Sequence, residues 1–412
     1  MSLRLAQVAE IRLGRQRAPQ YEQGDHLLPY LRSANVVDGR LDLTDVKSMN
    51  FDPAEQAIFR LAAGDVLMTE GSGSVATVGT SAVWRADLPG IVCFQNTLLR
   101  LRPRPGVTDG RFVAWWARHA HASGQIAAVT TGANIQHIGS DGLKDLRIHV
   151  PQLEEQWRIA DFLDDRVARI DQIITARRAQ LSSQQLLHES QKEAVLYREA
   201  NTLIVELRRL DCLVQTGPFG SQLHSDEYVD DGWPVVNPAC LSGGRIRKIP
   251  GMTVNGEVRQ RLARHVLFKN DVVFGRRGEM GRAGLVTDSE VGWICGTGSL
   301  LVRLRDDRLR PSFLMQLLST SRARFYFQHQ SVGSTMDNLN TDILLSVPLT
   351  LPTIDEQDDI MLTIEEIDRS ASAVQTALEE SIRLLNEYKQ SLITAAVTGD
   401  LDVTTAGSGI PG

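Results

Sequence analysis

Three arginines stand in one short glycine-rich run, Gly275-Arg-Arg-Gly-Glu-Met-Gly-Arg282, directly after the apolar stretch Asp271–Phe274. The guanidinium groups of Arg276, Arg277 and Arg282 suit bidentate pairing with phosphate or a guanine edge. The glycines between them let a loop approach a nucleic acid closely. Arg245, Arg247 and Lys248 form a second basic group. The readings that need no ligand are a plain surface turn for the first group and a solvated hairpin edge for the second. Polar side chains suited to base edges gather in three further places. They are Thr69, Ser72 and Ser74 in a polar loop, then Gln136 and His137 with Asn338 at the matched position, then Arg32, Ser33 and Asn35 with Asn237 opposite. Hydrogen bonding inside the domain is the alternative for the last set. Arg100, Arg102 and Arg104 alternate and so share one face of a strand. A solvated edge and a phosphate contact explain them equally well.

Other chemistries find less support. Asn237-Pro-Ala-Cys240 is reminiscent of the Asn-Pro-Pro-aromatic motif of adenine methyltransferases, but no glycine-rich cofactor loop follows an early strand. The glycines at 275, 278, 281 and 284 lack the Gly-Lys-Ser/Thr of a phosphate loop. His119 and His121 lack a third metal ligand and read as helix-surface residues. Cys93, Cys212, Cys240 and Cys295 form no Cys-x-x-Cys pair, and Cys93 and Cys295 read as buried core. No catalytic, metal or cofactor site is expected in this chain.

The elements that position these residues come in duplicate. Pro29-Tyr-Leu-Arg-Ser-Ala-Asn-Val-Val-Asp-Gly39 matches Pro234-Val-Val-Asn-Pro-Ala-Cys-Leu-Ser-Gly-Gly244, and Gly64-Asp-Val-Leu-Met matches Asn270-Asp-Val-Val-Phe. Gly90-Ile-Val-Cys93 matches Gly292-Trp-Ile-Cys295, and Val150-Pro-Gln-Leu-Glu-Glu-Gln156 matches Leu351-Pro-Thr-Ile-Asp-Glu-Gln357. Matched blocks in one order signal a duplicated domain. Short apolar runs bounded by Gly or Pro read as strands, with one helix per copy around Gly110–His121 and Pro311–Gln328.

After Pro151 and Pro352 the period changes. Ile360, Ile364, Ile367, Ala371, Val374, Leu378, Ser381, Leu385, Tyr388, Leu392 and Ala395 follow alternating steps of four and three, a heptad stripe. Leu163, Val167, Ile170 and Ile174 begin a weaker series that continues towards Leu196. Gly399 suits a helix C-terminal cap. An apolar stripe needs cover, so the two helices are expected to pair antiparallel as a coiled coil. Binding to another subunit is the alternative. The expected fold is α+β: two similar mostly-β domains at 1–151 and 205–352, related by a pseudo-twofold repeat. Helices at 152–204 and 353–400 separate them, and 401–412 is a flexible tail.

The net charge of −6 argues against a nucleic-acid partner at first. Its distribution does not. Residues 1–151 carry 16 Lys+Arg against 14 Asp+Glu, and 201–351 carry 18 against 15. The acidity sits in 352–412, with 3 against 12. No apolar run is long enough for a membrane span or signal peptide, so a cytoplasmic protein is expected.

In this arrangement the chain resembles the specificity subunits of type I restriction-modification enzymes. The carriers are the two Pro-x-x-x-Glu-Gln junctions, Pro151–Gln156 and Pro352–Gln357, each opening a heptad helix. Thr216-Gly-Pro-Phe-Gly-Ser221 and Val397-Thr-Gly-Asp-Leu401 add to them. The first domain departs, with Leu13-Gly-Arg-Gln in place of the Gly-Pro-Phe-Gly opening. The resemblance implies that each domain is a target-recognition domain reading half of a bipartite site in double-stranded DNA. It implies that the helices set the unspecified spacer between the halves. It implies two methyltransferase subunits carrying S-adenosylmethionine, restriction subunits using ATP and Mg, and no chemistry in this chain. A protein-binding scaffold of two domains on a helical strut is the rival reading.

Overall fold

A computed structural model describes residues 1–37, 39–72, 77–132, 136–198, 203–219, 222–276, 281–330 and 339–404. It divides into two compact units, Met1–Arg178 with Glu379–Gly412, and Ala179–Leu378.

In the first unit four antiparallel strands run in the order Ala9–Leu13, Leu98–Pro103, Val66–Thr69, Ser81–Val83. In the second, Cys212–Thr216, Ser299–Leu304, Val272–Gly275 and Ala283–Leu285 repeat that order. The duplication reaches the smaller sheets. Cys93–Phe94 pairs parallel with Leu27–Leu31, and Ile294–Cys295 pairs parallel with Trp233–Val236. Cys93 and Cys295 are fully buried at these pairs, and burial pushes both thiols up to about 12. Each domain closes on a two-stranded ribbon that precedes its long helix: Ser2–Arg4 with Arg147–His149, and Leu203–Glu206 with Pro348–Leu351.

The helix Gly110–Ala122 buries Phe112, Val113, Trp116 and Ala117 against the first sheet. Its Trp115 indole donates to Asp164 Oδ1 of the long helix at 2.9 Å. The single helix expected over Pro311–Gln328 is instead two, Pro311–Leu318 and Ser321–Gln330. Thr320 explains the break. Its hydroxyl donates to the Leu317 carbonyl at 2.7 Å and accepts from the Ala323 amide at 3.2 Å. One side chain thus serves both helix ends.

The long helices span Leu153–Leu196 and Ile354–Thr398. In the first unit, Leu163, Val167, Ile170 and Ile174 share one core with Leu385, Leu392, Ile393 and Ala396. Lys389 lies 2.7 Å from Asp171. In the second unit, Leu196 and Ile364 share a core, and Lys192 lies 3.0 Å from Asp368. The early part of each helix therefore accompanies the late part of the other, which is antiparallel pairing. The stripe is not evenly buried. Val374 is 40% exposed, and Ala371 and Leu378 are half-buried. None of the three belongs to either domain's buried core among the described residues. Gly399, at φ +86°, ends the second helix.

Candidate nucleic-acid interface

One loop with candidate residues in each unit is fixed by the same backbone joint. In the first unit the Glu70 amide donates to the Thr97 carbonyl at 2.9 Å, and the Glu70 carbonyl accepts from the Ile138 amide at 2.8 Å. In the second the Arg276 amide donates to Gly298 at 2.8 Å, and its carbonyl accepts from Leu339 at 3.0 Å. Each joint brings the loop after a central strand beside the segment that leads into a short helix, Ser140–Asp145 or Thr341–Leu345. In the first unit this makes a ribbon. Gln136 pairs with Ser72 and His137 with Gly71, while Thr130–Thr131 covers the other side. Two segments that lie far apart in the chain, at Gly71–Ser72 and at Gln136–Ile138, are thus joined backbone to backbone. His137 is about half exposed, and its Nδ1 lies 3.2 Å from a Glu70 carboxylate oxygen. Gln136 donates to the Gly132 carbonyl.

In the second unit Arg276 donates from Nε to the Leu339 carbonyl at 3.1 Å. Its guanidinium lies 5.5 Å from the centre of the Phe219 ring, which is 55% exposed. Arg245 opens the second strand of a hairpin, Leu241–Ser242 with Arg245–Ile246. Arg245, Arg247 and Lys248 are all exposed, and none makes an ion pair among the described residues. Arg282 is exposed and lines a cleft of about 300 Å³ with Lys192, Arg324, Glu189 and Asp368. Arg277, Ser74, Asn338 and the Ser72 side chain lie outside the described residues.

Several candidates are internal. Asn35 is 2% exposed, and its Nδ2 donates to the carbonyls of Asp42 and Asp45. Its Oδ1 accepts from the Arg32 amide. It ties the following hairpin to the strand, and no polar atom of it is left for a base. Thr69 is 3% exposed and bonds to Thr80. Both corrections have one cause: each side chain is buried and bonds inside its own domain. Arg100 is neither a solvated edge nor a phosphate ligand. It is 1% exposed on a central strand, and it donates to the carbonyls of Ile58 and Arg60 and to Glu10. Arg102 grips Asp65, itself 1% exposed, through two bonds of 2.8 and 2.7 Å. His119 is not at the surface. It is 7% exposed and contacts Thr394 of the second long helix at 3.0 Å.

Arg32 and Asn237 occupy matched positions with different fates. Arg32 bonds to Asp45 and lines an open groove of about 460 Å³ with Arg17, Lys47 and Gln95. Asn237 is half-buried, with its Oδ1 unpaired. The Ser33 amide donates to the Thr97 hydroxyl, and the residue is partly exposed.

The sequence reading missed Glu70, Phe219, Arg17 and Lys47. The repeat holds the signal for Glu70, because the offset between Gly64-Asp-Val and Asn270-Asp-Val sets it opposite Arg276. The missing opening of the first domain is present in shape. A Cβ on Gly14 would lie 2.2 Å from the Gln95 carbonyl oxygen, and one on Gly217 would lie 1.8 Å from that of Gly296. Both loops need glycine for the same close approach.

The family model described as Type I restriction modification DNA specificity domain matches residues 2–183 and 224–384. The chain belongs to this family. It is 24% identical over 404 residues to the type I restriction enzyme StySPI specificity subunit of Salmonella potsdam, covering 94% of this chain and 85% of the relative. To the EcoKI specificity subunit of Escherichia coli (strain K12) it is 23% identical over 407 residues, with the same coverage. A chain solved in work on complex assembly and conformational transition of the type I R-M system superposes with a TM-score of 0.76 at 18% identity, covering 97% of this chain and 98% of that one. The HsdS subunit from Thermoanaerobacter tengcongensis gives 0.54 at 18% identity, covering 97% of each. These two likenesses establish the specificity-domain fold. Among the described residues no helix is long and apolar enough to cross a membrane.

Proposed function

We propose that this chain is the DNA-specificity subunit of a type I restriction-modification complex. The domain at 1–151 reads one half of a bipartite site in double-stranded DNA, and the domain at 205–352 reads the other. The helices at 152–204 and 353–400 set the unspecified spacer. The observation that carries this reading is the duplicated joint at Glu70 and Arg276, where one backbone frame holds different side chains. Two different half-sites require that combination of common frame and divergent loop. Membership of the specificity-domain family over both copies supports it.

Positioning falls to cations that reach phosphates, and sequence to side chains at base edges. Arg245, Arg247, Lys248 and Arg282 suit the first role in the second domain, and Arg17, Arg32 and Lys47 in the first. Gln136, His137, Ser33, Arg276 and Asn237 suit the second role. The chain performs no reaction. It directs two methyltransferase subunits, which bring S-adenosylmethionine and methylate adenine, and restriction subunits that use ATP and magnesium. The complex works in the cytoplasm.

Mapping methylated adenines in cells that carry the chain with its partner subunits tests the proposal. The expected outcome is one bipartite motif that disappears when the chain is deleted. A continuous motif, or methylation that persists without the chain, rejects it.

A further inference from the structure

We infer that the two domains read base edges of opposite hydrogen-bonding character. The Glu70–His137 pair makes the first domain an acceptor that selects an amino-bearing edge. Arg276, at the equivalent place, makes the second a donor that selects guanine. The inference rests on the DNA-reading function proposed above.

The equivalence comes from the backbone. Glu70 and Arg276 each donate to the residue before a central strand, Thr97 or Gly298, and each accept from Ile138 or Leu339. Their side chains therefore leave the same point of the same frame.

The chemistry then diverges. A carboxylate only accepts, so the His137 Nδ1 beside it must carry the hydrogen. Both Glu70 oxygens lie within 3.3 Å of that nitrogen. In the neutral ring this leaves Nε2 as an acceptor, on a side chain 51% exposed. Glu70 itself keeps 19% exposure. The pair thus offers carboxylate lone pairs and Nε2 together, which only a donor can satisfy. In the major groove the base donors are cytosine N4 and adenine N6. Gly71 lets the ring seat there, since a Cβ would meet His137 Nδ1 at 2.8 Å. Arg276 has donors alone. Its Nε is held by Leu339 and its plane lies near the exposed Phe219 ring. The acceptor-rich base edge in the groove is O6 and N7 of guanine.

The test is the adenine-methylation map of the complete complex, wild type beside Glu70→Gln, His137→Asn and Arg276→Gln. Glutamine both donates and accepts, so Glu70→Gln should cut discrimination at one base pair of one half-site by about tenfold. The other half should not change. His137→Asn keeps a donor towards Glu70 and withdraws the acceptor from the Nε2 position. It should relax the same half, and it decides the matter if Glu70→Gln fails to fold. Arg276→Gln should relax a guanine in the opposite half. A wild-type map without a bipartite motif removes the DNA-reading function itself. A bipartite wild-type map overturns this inference alone in two cases. One is that Glu70→Gln and His137→Asn leave both halves unchanged. The other is that they alter the half that Arg276→Gln alters.

Discussion

Gln156 Oε1 accepts the backbone amide of Asp109 at 2.9 Å, so the long helix is fastened to the helix that packs on the first sheet. The Gln156 Nε2 donates to the carbonyls of Val107 and Pro151. Gln357 repeats all three bonds with Arg310, Arg308 and Pro352. Both glutamines are completely buried. The glutamine of each Pro-x-x-x-Glu-Gln junction is thus the point where a domain grips its helix. Gln156→Ala or Gln357→Ala leaves buried groups unpaired, at roughly 1–3 kcal/mol each. Thermal melting of the purified chain should fall clearly for either. Exposed Gln152→Ala should stay within about 0.5 kcal/mol of wild type. Equal, small effects for all three would show that the grip does not matter.

Arg303 and Asp271 form the second-domain counterpart of Arg102 and Asp65. Two bonds of 2.7 Å join them, and Asp271 is 1% exposed. Asp271 also accepts from the Phe268 amide. Removing one partner strands a buried charge. Arg303→Met should cost about 3–5 kcal/mol, whereas Arg303→Met with Asp271→Asn should cost much less. A denaturant double-mutant cycle measures the coupling. Additive losses would mean that the ion pair is incidental.

The frame was legible in the sequence because its signals are local. Heptad steps, matched blocks and a capping glycine need no knowledge of what lies across the fold. The alternation of Arg100, Arg102 and Arg104 correctly put Arg100 and Arg102 on one face. That Ile58 and Arg60 cover this face is a tertiary fact, absent from any window around Arg100. Asn35 and Thr69 misled for a related reason. A polar side chain in a loop looks the same whether it meets a base or its own backbone. His119 meets Thr394, 275 residues away. Of the site, the repeat offset holds the signal that one position carries different chemistry, since it sets Glu70 opposite Arg276. The role of Glu70 needed the two backbone bonds that define the position.

Burial holds the pKa of His119 below the ordinary histidine value. His265 shifts the same way through burial, with the Arg264 charge adding to it. The unfolded chain therefore takes up protons at these sites before the folded chain does. Their contribution to stability is complete above about pH 6.5, and it declines as pH falls through that value towards the lower folded pKa. Melting temperature should drop between pH 7.5 and 5.5. His119→Gln should reduce that slope while keeping a polar group towards Thr394. An unchanged slope would remove His119 as a source of the acid sensitivity.

Arg245, Arg247 and Lys248 are exposed, carry no ion pair among the described residues, and project from a hairpin. Cations of this kind bind phosphate without regard to sequence. Replacing all three by Ala should weaken DNA binding by the complex for every sequence alike. The slope of log affinity against log salt should become shallower by up to about 0.9 per lost contact. A change of methylated motif with an unaltered slope would instead make them base readers.

The exposed stretch around Val374, midway along the second long helix, points to the sharpest test of the spacer role. Deleting one heptad from each helix keeps the stripe in register, because seven residues restore the same face. Seven residues rise about 10 Å at 1.5 Å each, or about three base pairs at 3.4 Å per step. The glutamine grips and the Glu70 and Arg276 joints lie outside the deleted stretch, so both half-sites should stay as they were. Methylation mapping should then return the original half-sites with a spacer shorter by about three base pairs. Deleting seven residues from one helix alone breaks the pairing of the two stripes and should abolish methylation. Recovery of the original spacer after the paired deletion would mean that something other than helix length sets the distance.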